Sequence, residues 1–175
     1  MSENRQHDTS RIGVTMTGLA WLLFIALLAW FFAGYEEDRY NPNQQINSVT
    51  TSTGVQEIVL QRNPFGHYVA TGRINGHEVT FLLDTGATDI SVPDKLAKRL
   101  RLQRGISQRY NTANGQITAY LTRLDSVSLG DIELHDVRAS INPAVEGDEI
   151  LLGMSFLRDL EFTQRGDTLT IRQYR

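Results

Sequence analysis

The sequence runs from three apolar residues into an acid, a hydroxyl and a glycine over the segment Phe81-Leu82-Leu83-Asp84-Thr85-Gly86-Ala87-Thr88. The apolar residues predict a buried strand, and the polar residues after them predict a tight turn. A carboxylate that a buried strand delivers to a turn has a fixed position, whereas most acids only keep a surface solvated. Asp84 is therefore the first candidate for a chemical role.

Strand and turn signals surround this segment on both sides. Asn75-Gly76 separates the strand-like runs His67–Ile74 and His77–Leu83, so a hairpin leads directly into Asp84. A proline followed by Asp94 and then basic residues predicts a short helix over 93–100. Further strand-like runs lie at Val55–Leu60, Ile90–Val92, Gln108–Asn111, Gln116–Leu129, Ile132–Ile141, Ile150–Leu152 and Leu169–Arg172. Short strands with turns at intervals of about ten residues predict an all-β sandwich or barrel.

The N-terminal region carries an uncharged, largely apolar segment from Ile12 to Ala33. At about 1.5 Å per residue, a helix of roughly 22 residues reaches about 33 Å, which is enough to cross a hydrocarbon core. We therefore predict a transmembrane helix at residues 12–34, after an N-terminal tail at 1–11. A cleaved signal peptide is the alternative, but Phe31 and Phe32 stand where such a cleavage site needs a small residue. The segment is interpreted as an uncleaved anchor.

The charges beside this segment predict its orientation. Arg5 and Arg11 precede it, whereas an acidic run with one arginine follows it, so the positive-inside rule places the N-terminus in the cytoplasm. In a bacterium the segment would then be a single-pass anchor in the inner membrane, with the C-terminal domain in the periplasm. Residues 35–54 are polar and predict a flexible linker, and the folded domain is predicted at 55–175.

Composition and charge exclude several classes of function. A formal net charge of −3 and scattered basic residues argue against nucleic-acid binding. The absence of cysteine excludes a disulfide framework, a thiol nucleophile and a cysteine-ligated metal. The four histidines share no ligand spacing, so we predict neither a metal site nor a cofactor.

Three elements in order give the domain a family resemblance. They are the turn Asp84-Thr85-Gly86-Ala87, a second hairpin with its tip at Asn111–Gln116, and an apolar run that ends in glycine, Leu151-Leu152-Gly153. In this combination the sequence resembles the retropepsin-like aspartic proteases, and more closely their membrane-anchored bacterial members. The resemblance covers roughly residues 55–175 and implies a closed β-barrel or sandwich with one short helix.

The resemblance implies a role for each residue of the turn. Asp84 would be the catalytic residue of an aspartic endopeptidase, and Thr85, Gly86 and Ala87 would complete the active-site turn. Two carboxylates about 3 Å apart share one proton, so that one acts as a base toward water while the other acts as an acid. Because the chain supplies one such aspartate, the second would be Asp84 of another copy, which implies a homodimer.

The second hairpin would be the flap that closes over a peptide or protein substrate. Its substrate-binding residues would be Thr112, Ala113, Asn114 and Gly115. An extended substrate would bind beside them by strand pairing, with pockets for alternate side chains.

The chain departs from the retroviral pattern at two positions. Thr88 and Met154 stand where the retroviral enzymes have an aspartate and an arginine that pair to support the dimer. Because both partners are absent together, no charge is left unpaired. The dimer would then depend on the membrane, which confines two copies without any new contact. The nearby Asp89 is either a contact for the substrate backbone or a surface acid.

Other functions compete with proteolysis. A catalytically silent module for dimerisation or peptide binding at the membrane is the main alternative, although it has no need of Asp84. Gly153-Met154-Ser155-Phe156-Leu157 resembles half of a serine nucleophile elbow, but Leu157 replaces the closing glycine. A glycosidase would need a second acid at a fixed distance, and no spacing selects one. Self-processing, if it occurs, is predicted in the polar segment Tyr40–Gly54.

Overall fold

The computed structural model describes residues 4–112 and 115–174, with side chains described from Gly13 onward. Within that part of the chain, the contacts separate two compact units that meet in the sequence between Arg39 and Tyr40. The elements in chain order are α1 (Asn4–Tyr40), β1 (Ser48–Thr50), β2 (Gln56–Gln61), β3 (Val69–Ile74), β4 (His77–Leu83), β5 (Ile90–Pro93), α2 (Asp94–Arg99), β6 (Ser107–Thr112), β7 (Gly115–Leu129), β8 (Ile132–Asn142), β9 (Glu149–Leu152), α3 (Met154–Leu157), β10 (Glu161–Arg165) and β11 (Thr168–Gln173).

The first unit is formed by the helix α1. By length and composition its part Gly13–Tyr40 is a candidate membrane span, and its 28 residues correspond to about 42 Å of helix. Its large apolar side chains are exposed, among them Trp21 and Phe31. The helix continues past Gly34, since the following turn contains neither proline nor glycine to end it.

Residues 41–50 belong to the second unit and pack against its strands. Asn43 is buried, and its side-chain amide donates to the carbonyls of Gln61 (2.9 Å) and Val69 (2.7 Å). The side-chain oxygen of Asn43 accepts a hydrogen bond from the N–H of Gln61 at 2.7 Å. The strand β1 pairs antiparallel with β2. The polar side chains that predict a flexible linker thus satisfy backbone groups of the domain instead.

Two sheets build the second unit. The smaller sheet has the antiparallel order β1-β2-β11-β10, and the larger has the order β3-β4-β9-β5-β8-β7-β6 with an additional pairing between β3 and β7. Pairing around the larger sheet is uneven, because β5 and β9 share only the pair Ser91↔Leu151 and β3 and β7 share two pairs. The described part of this unit is mostly β, as the pattern predicts, and the short helices in it are α2 and α3. With the pairing between β3 and β7, the larger sheet returns to its first strand, so its strands form an uneven ring.

Apolar side chains of both sheets and both short helices form a hydrophobic core. Phe81 of β4 and Phe156 of α3 are fully buried in it. Gly72 of the neighbouring strand β3 makes room for Phe81, because a Cβ at Gly72 would lie 2.6 Å from the phenylalanine ring. Burying such a side chain stabilises the fold by about 1.5–3 kcal/mol. This packing fixes the end of β4, which leads directly into Asp84.

Candidate active site

Two parallel strands present Asp84 at their common end. β4 and β9 pair in parallel, with Leu83 opposite Leu152. The N–H of Asp84 continues this pairing by donating to the carbonyl of Leu152 at 3.2 Å. The chain then turns, and Thr85 and Gly86 are exposed while Asp84 is half-buried. The strand thus places the carboxylate at the surface of the core and not inside it.

The turn itself fixes the orientation of the carboxylate. The N–H of Gly86 donates to Oδ1 of Asp84 at 2.8 Å, and the N–H of Ala87 donates to the carbonyl of Asp84 at 3.2 Å. A Cβ at Gly86 would lie only 3.1 Å from Oδ1 of Asp84. Glycine therefore permits this close approach between the backbone and the carboxylate.

The start of α3 supports the turn from behind. The N–H groups of Met154 and Ser155 donate to the carbonyls of Ala87 (2.8 Å) and Thr88 (3.0 Å). The hydroxyl of Ser155 accepts a hydrogen bond from the N–H of Ile90 at 2.9 Å. Ser155 thus has a structural partner in the outgoing arm of the turn, which argues against a role as a nucleophile.

Gly153 allows this support to come close. A Cβ at this position would lie 2.4 Å from the carbonyl oxygen of Asp89 and 2.6 Å from that of Ala87. Real Cβ atoms do not approach backbone oxygens so closely, so only glycine fits between β9 and the turn. The close packing of the turn therefore explains why the apolar run Leu151-Leu152-Gly153 ends in glycine.

Asp89 lies at the far end of the same turn and is buried, with 5% of its surface exposed. The hydroxyl of Tyr110 donates to its Oδ2 at 2.7 Å, and the guanidinium of Arg138 lies with Nε 3.2 Å from its Oδ1. Burial raises the pKa of the Tyr110 hydroxyl, and the hydrogen bond to Asp89 raises it further. The interpretation of Asp89 as a surface acid is therefore wrong.

The hairpin of β6 and β7 forms the second wall of the site. Thr112 and Gly115 are its last described pair, and the hydroxyl of Thr112 donates to the carbonyl of Gly115 at 2.8 Å. Ala113 and Asn114, which the sequence predicts at the flap tip, lie outside the described residues. The hairpin itself has the predicted position in the chain.

A groove of about 400 Å³ lies between the turn and this hairpin. Asp84, Ala87, Tyr110, Thr112 and Ile117 contribute to its lining. Asp89 also lines it, but each of its two carboxylate oxygens already has a protein partner, Tyr110 or Arg138. Among the described residues that line the groove, Asp84 is thus the carboxylate with an oxygen left for chemistry.

A family model described as “gag-polyprotein putative aspartyl protease” matches residues 70–159, which include the turn, the hairpin and Gly153. The chain belongs to the retropepsin-like aspartic proteases. The crystal structure of a retropepsin-like aspartic protease from Rickettsia conorii is similar, with 28% sequence identity and a TM-score of 0.58. That match covers 74% of this chain and 96% of the other.

Two curated relatives of this retropepsin-like chain come from bacteria. An uncharacterized protein from the 5' region of cobV in Sinorhizobium is 35% identical over 128 residues, which are 71% of this chain and 55% of the relative. An uncharacterized protein of Rickettsia prowazekii is 31% identical over 132 residues, which are 74% of this chain and 56% of the relative. The chain thus spans about half the length of these curated relatives.

The contacts of Asp89 are the part of this retropepsin-like site that the sequence does not predict. Tyr110 is separated from Asp89 by 21 residues, and Arg138 follows on another strand. No local spacing joins the three residues, because the fold of the larger sheet brings them together. An acid shortly after the turn of residues 84–87 is the one signal in the sequence that points toward them.

Proposed function

We propose that this chain is a membrane-anchored aspartic endopeptidase whose active site is completed by two copies. The observation that carries the proposal is the Asp84 carboxylate, which lies in the groove beneath the β6–β7 hairpin with one oxygen left for chemistry. Hydrolysis by an aspartate dyad needs two such carboxylates, and a two-fold axis beside the turn supplies the second from an identical chain.

The two Asp84 carboxylates divide the chemistry between them. The ionised one takes a proton from water, and the resulting hydroxide attacks the carbonyl carbon of the scissile bond. The protonated one gives its proton to the carbonyl oxygen, and a proton then passes to the leaving amine as the C–N bond breaks. The N–H of Gly86 holds Oδ1 of Asp84, which supports the use of Oδ2 for the shared proton.

The residues around Asp84 have proposed roles in the dimer contact and in substrate binding. Thr85 would hydrogen-bond to the partner's turn, and Gly86 and Ala87 would line the floor of the groove. The hairpin residues Thr112, Ala113, Asn114 and Gly115 would close over an extended peptide that pairs as a strand.

The proposed location follows from α1 and its flanking charges. We place the helix across the bacterial inner membrane in a single pass, with the N-terminus in the cytoplasm and the protease domain in the periplasm. Confinement to one membrane would raise the effective concentration of the partner copy and promote the homodimer.

The test of the proposal compares Asp84→Asn with Asp131→Asn in the full chain reconstituted into lipid vesicles. Asp131 is an exposed acid in the turn between β7 and β8, so its variant controls for the loss of a charge. Cleavage of a random peptide library is followed by mass spectrometry. We expect Asp84→Asn to slow cleavage by about 100-fold or more, and Asp131→Asn to cleave as the wild type does.

The same experiment separates the protease from the catalytically silent module. Unchanged cleavage in Asp84→Asn, or no cleavage by the wild type, would reject the protease. Binding of library peptides without cleavage would then favour a dimerisation or peptide-binding module.

A further inference from the structure

One buried carboxylate joins three separate segments of the domain. Asp89 belongs to the turn that carries Asp84, Tyr110 belongs to β6 of the hairpin, and Arg138 belongs to β8. Resting on the proposed function, we propose that Asp89 is a positioning residue that holds the base of the flap against the active-site turn through Tyr110 and Arg138. Asp84 remains the residue that carries the chemistry.

Asp89 is suited to this role because its own segment is fixed. The carbonyls of Ala87 and Thr88, which directly precede it, accept hydrogen bonds from the N–H groups that begin α3. The side chain of Asp89 is 4% exposed. A buried carboxylate without partners would be strongly destabilising, so its two contacts are expected to persist.

The strand β6 is the part of the flap that needs a second attachment. It is an edge strand of the larger sheet and takes its backbone pairing from β7. The hydroxyl of Tyr110 ties it to Asp89 two residues before Thr112, where the described part of the hairpin ends. Loss of the hydrogen bond between Tyr110 and Asp89 would allow β6 to move away from the turn more often.

Arg138 adds a second attachment point on the same strand. Its Nη2 donates to the side-chain oxygen of Gln108 at 3.2 Å, while its Nε faces Asp89. Gln108 and Tyr110 are two positions apart on β6 and point to the same face. The guanidinium thus connects β6, β8 and the turn, and half of its side chain stays in contact with solvent.

This arrangement predicts an effect on substrate binding more than on bond cleavage. The flap contacts the substrate, whereas the proton transfers take place at Asp84. A looser flap therefore weakens binding and raises KM, with little change in kcat. A residue with a purely structural role would instead lower the folded fraction and thereby reduce kcat with KM unchanged.

The first test measures flap opening without any need for activity. Tyr110→Phe removes one hydroxyl and keeps the ring, and Tyr120→Phe is the matched control on β7, where the ring packs beneath Arg104 at 4.7 Å. Hydrogen exchange of the full chain in detergent is followed by mass spectrometry. We expect about tenfold faster exchange across β6 in Tyr110→Phe, and wild-type exchange in Tyr120→Phe.

Equal exchange rates in Tyr110→Phe and the wild type would overturn the proposal. Faster exchange throughout the domain in Tyr110→Phe would also overturn it, because it would indicate general destabilisation. Arg138→Lys serves as the conservative variant, and its exchange across β6 is expected to lie between the wild type and Arg138→Gln. Equal exchange in Arg138→Lys and Arg138→Gln would contradict the role assigned to the guanidinium group and its contacts with Asp89 and Gln108.

The second test uses a peptide that the wild type cleaves in the library experiment. We expect Tyr110→Phe to raise KM roughly fivefold to tenfold with kcat within about twofold, while Tyr120→Phe leaves both unchanged. A fall in kcat at constant KM would overturn the proposal. A wild type without activity would reject the proposed function instead, and the exchange experiment would still test the attachment.

Discussion

At the scale of single residues, Gly153 is the position where one methyl group would do most damage to the site. A Cβ there would meet the carbonyl oxygens of Asp89 and Ala87, and neither can move without moving the turn that carries Asp84. We expect Gly153→Ala to destabilise the domain by about 1–3 kcal/mol and to abolish peptide cleavage. Thermal unfolding and the library assay measure the two effects.

Gly34→Ala is the matched control for this substitution, because a Cβ there would meet no atom within 4 Å. It should leave both the unfolding temperature and the cleavage rate as they are. Wild-type stability in Gly153→Ala would show that the turn accommodates the methyl group and that its support from α3 is loose.

The sequence predicts the strand and the turn around Asp84 but not the burial of Asp89, and the reason is the sequence distance of the contacts. Asp84 is recognisable because its strand, its turn and its glycine are neighbours in the chain. Asp89 depends on Tyr110 and Arg138, which reach it only after the larger sheet has formed. A surface acid and a buried one look alike when their partners are distant in sequence.

At the scale of elements, the helix α2 begins with a carboxylate that has two basic partners. Lys98 lies 2.9 Å from Asp94 one turn later, and Arg104 also contacts it. These hydrogen bonds lower the pKa of Asp94 below its ordinary value of 3.8. Its contribution to stability is therefore complete above pH 3.8 and is lost as the pH falls through the lowered folded-state pKa.

The corresponding prediction concerns Asp94→Asn. We expect this variant to be slightly less stable than the wild type at pH 7, because exposed ion pairs contribute little to stability. The difference should shrink toward zero as the pH is lowered below the Asp94 pKa. Urea unfolding of both proteins over a pH series measures it, and a pH-independent difference would contradict the ion-pair explanation.

Among the elements, the predicted hairpin is confirmed and two strands were not predicted. His77–Leu83 is a strand with the predicted bounds, and Asn75 and Gly76 have positive φ values of 51° and 78°. β1 and β10 escape prediction because neither presents an apolar face, and all five residues of β10 are exposed. Such strands form because a neighbouring strand pairs with them, and this information is absent from their own sequence.

At the scale of the whole molecule, residues 41–50 belong to the domain in energetic terms. Asn43 alone contributes three hydrogen bonds to backbone groups, each stabilising the fold by about 1 kcal/mol. We therefore expect a fragment of residues 40–175 to be roughly 2–4 kcal/mol more stable than a fragment of residues 55–175. Urea unfolding of the two fragments tests this, and coincident transitions would show that the segment adds nothing.

We also expect the domain without α1 to dissociate from its second copy. Thr88 and Met154 provide no ion pair between copies, so we expect the fragment of residues 40–175 to be largely monomeric and to cleave peptides poorly. Sedimentation velocity and the library assay, compared with the full chain in vesicles, measure both properties. A tight dimer at nanomolar concentration would contradict the dependence on the membrane.

Under the proposed mechanism, each groove contributes the one carboxylate of Asp84, and this has a consequence for how cells could set the amount of activity. Under the proposed mechanism with a weak dimer, the number of complete active sites grows with the square of the number of chains per area of membrane. A twofold rise in synthesis would give a fourfold rise in proteolysis, and dilution by membrane growth would silence the enzyme without any inhibitor. Gene dosage and surface density would then act as the regulators of this enzyme.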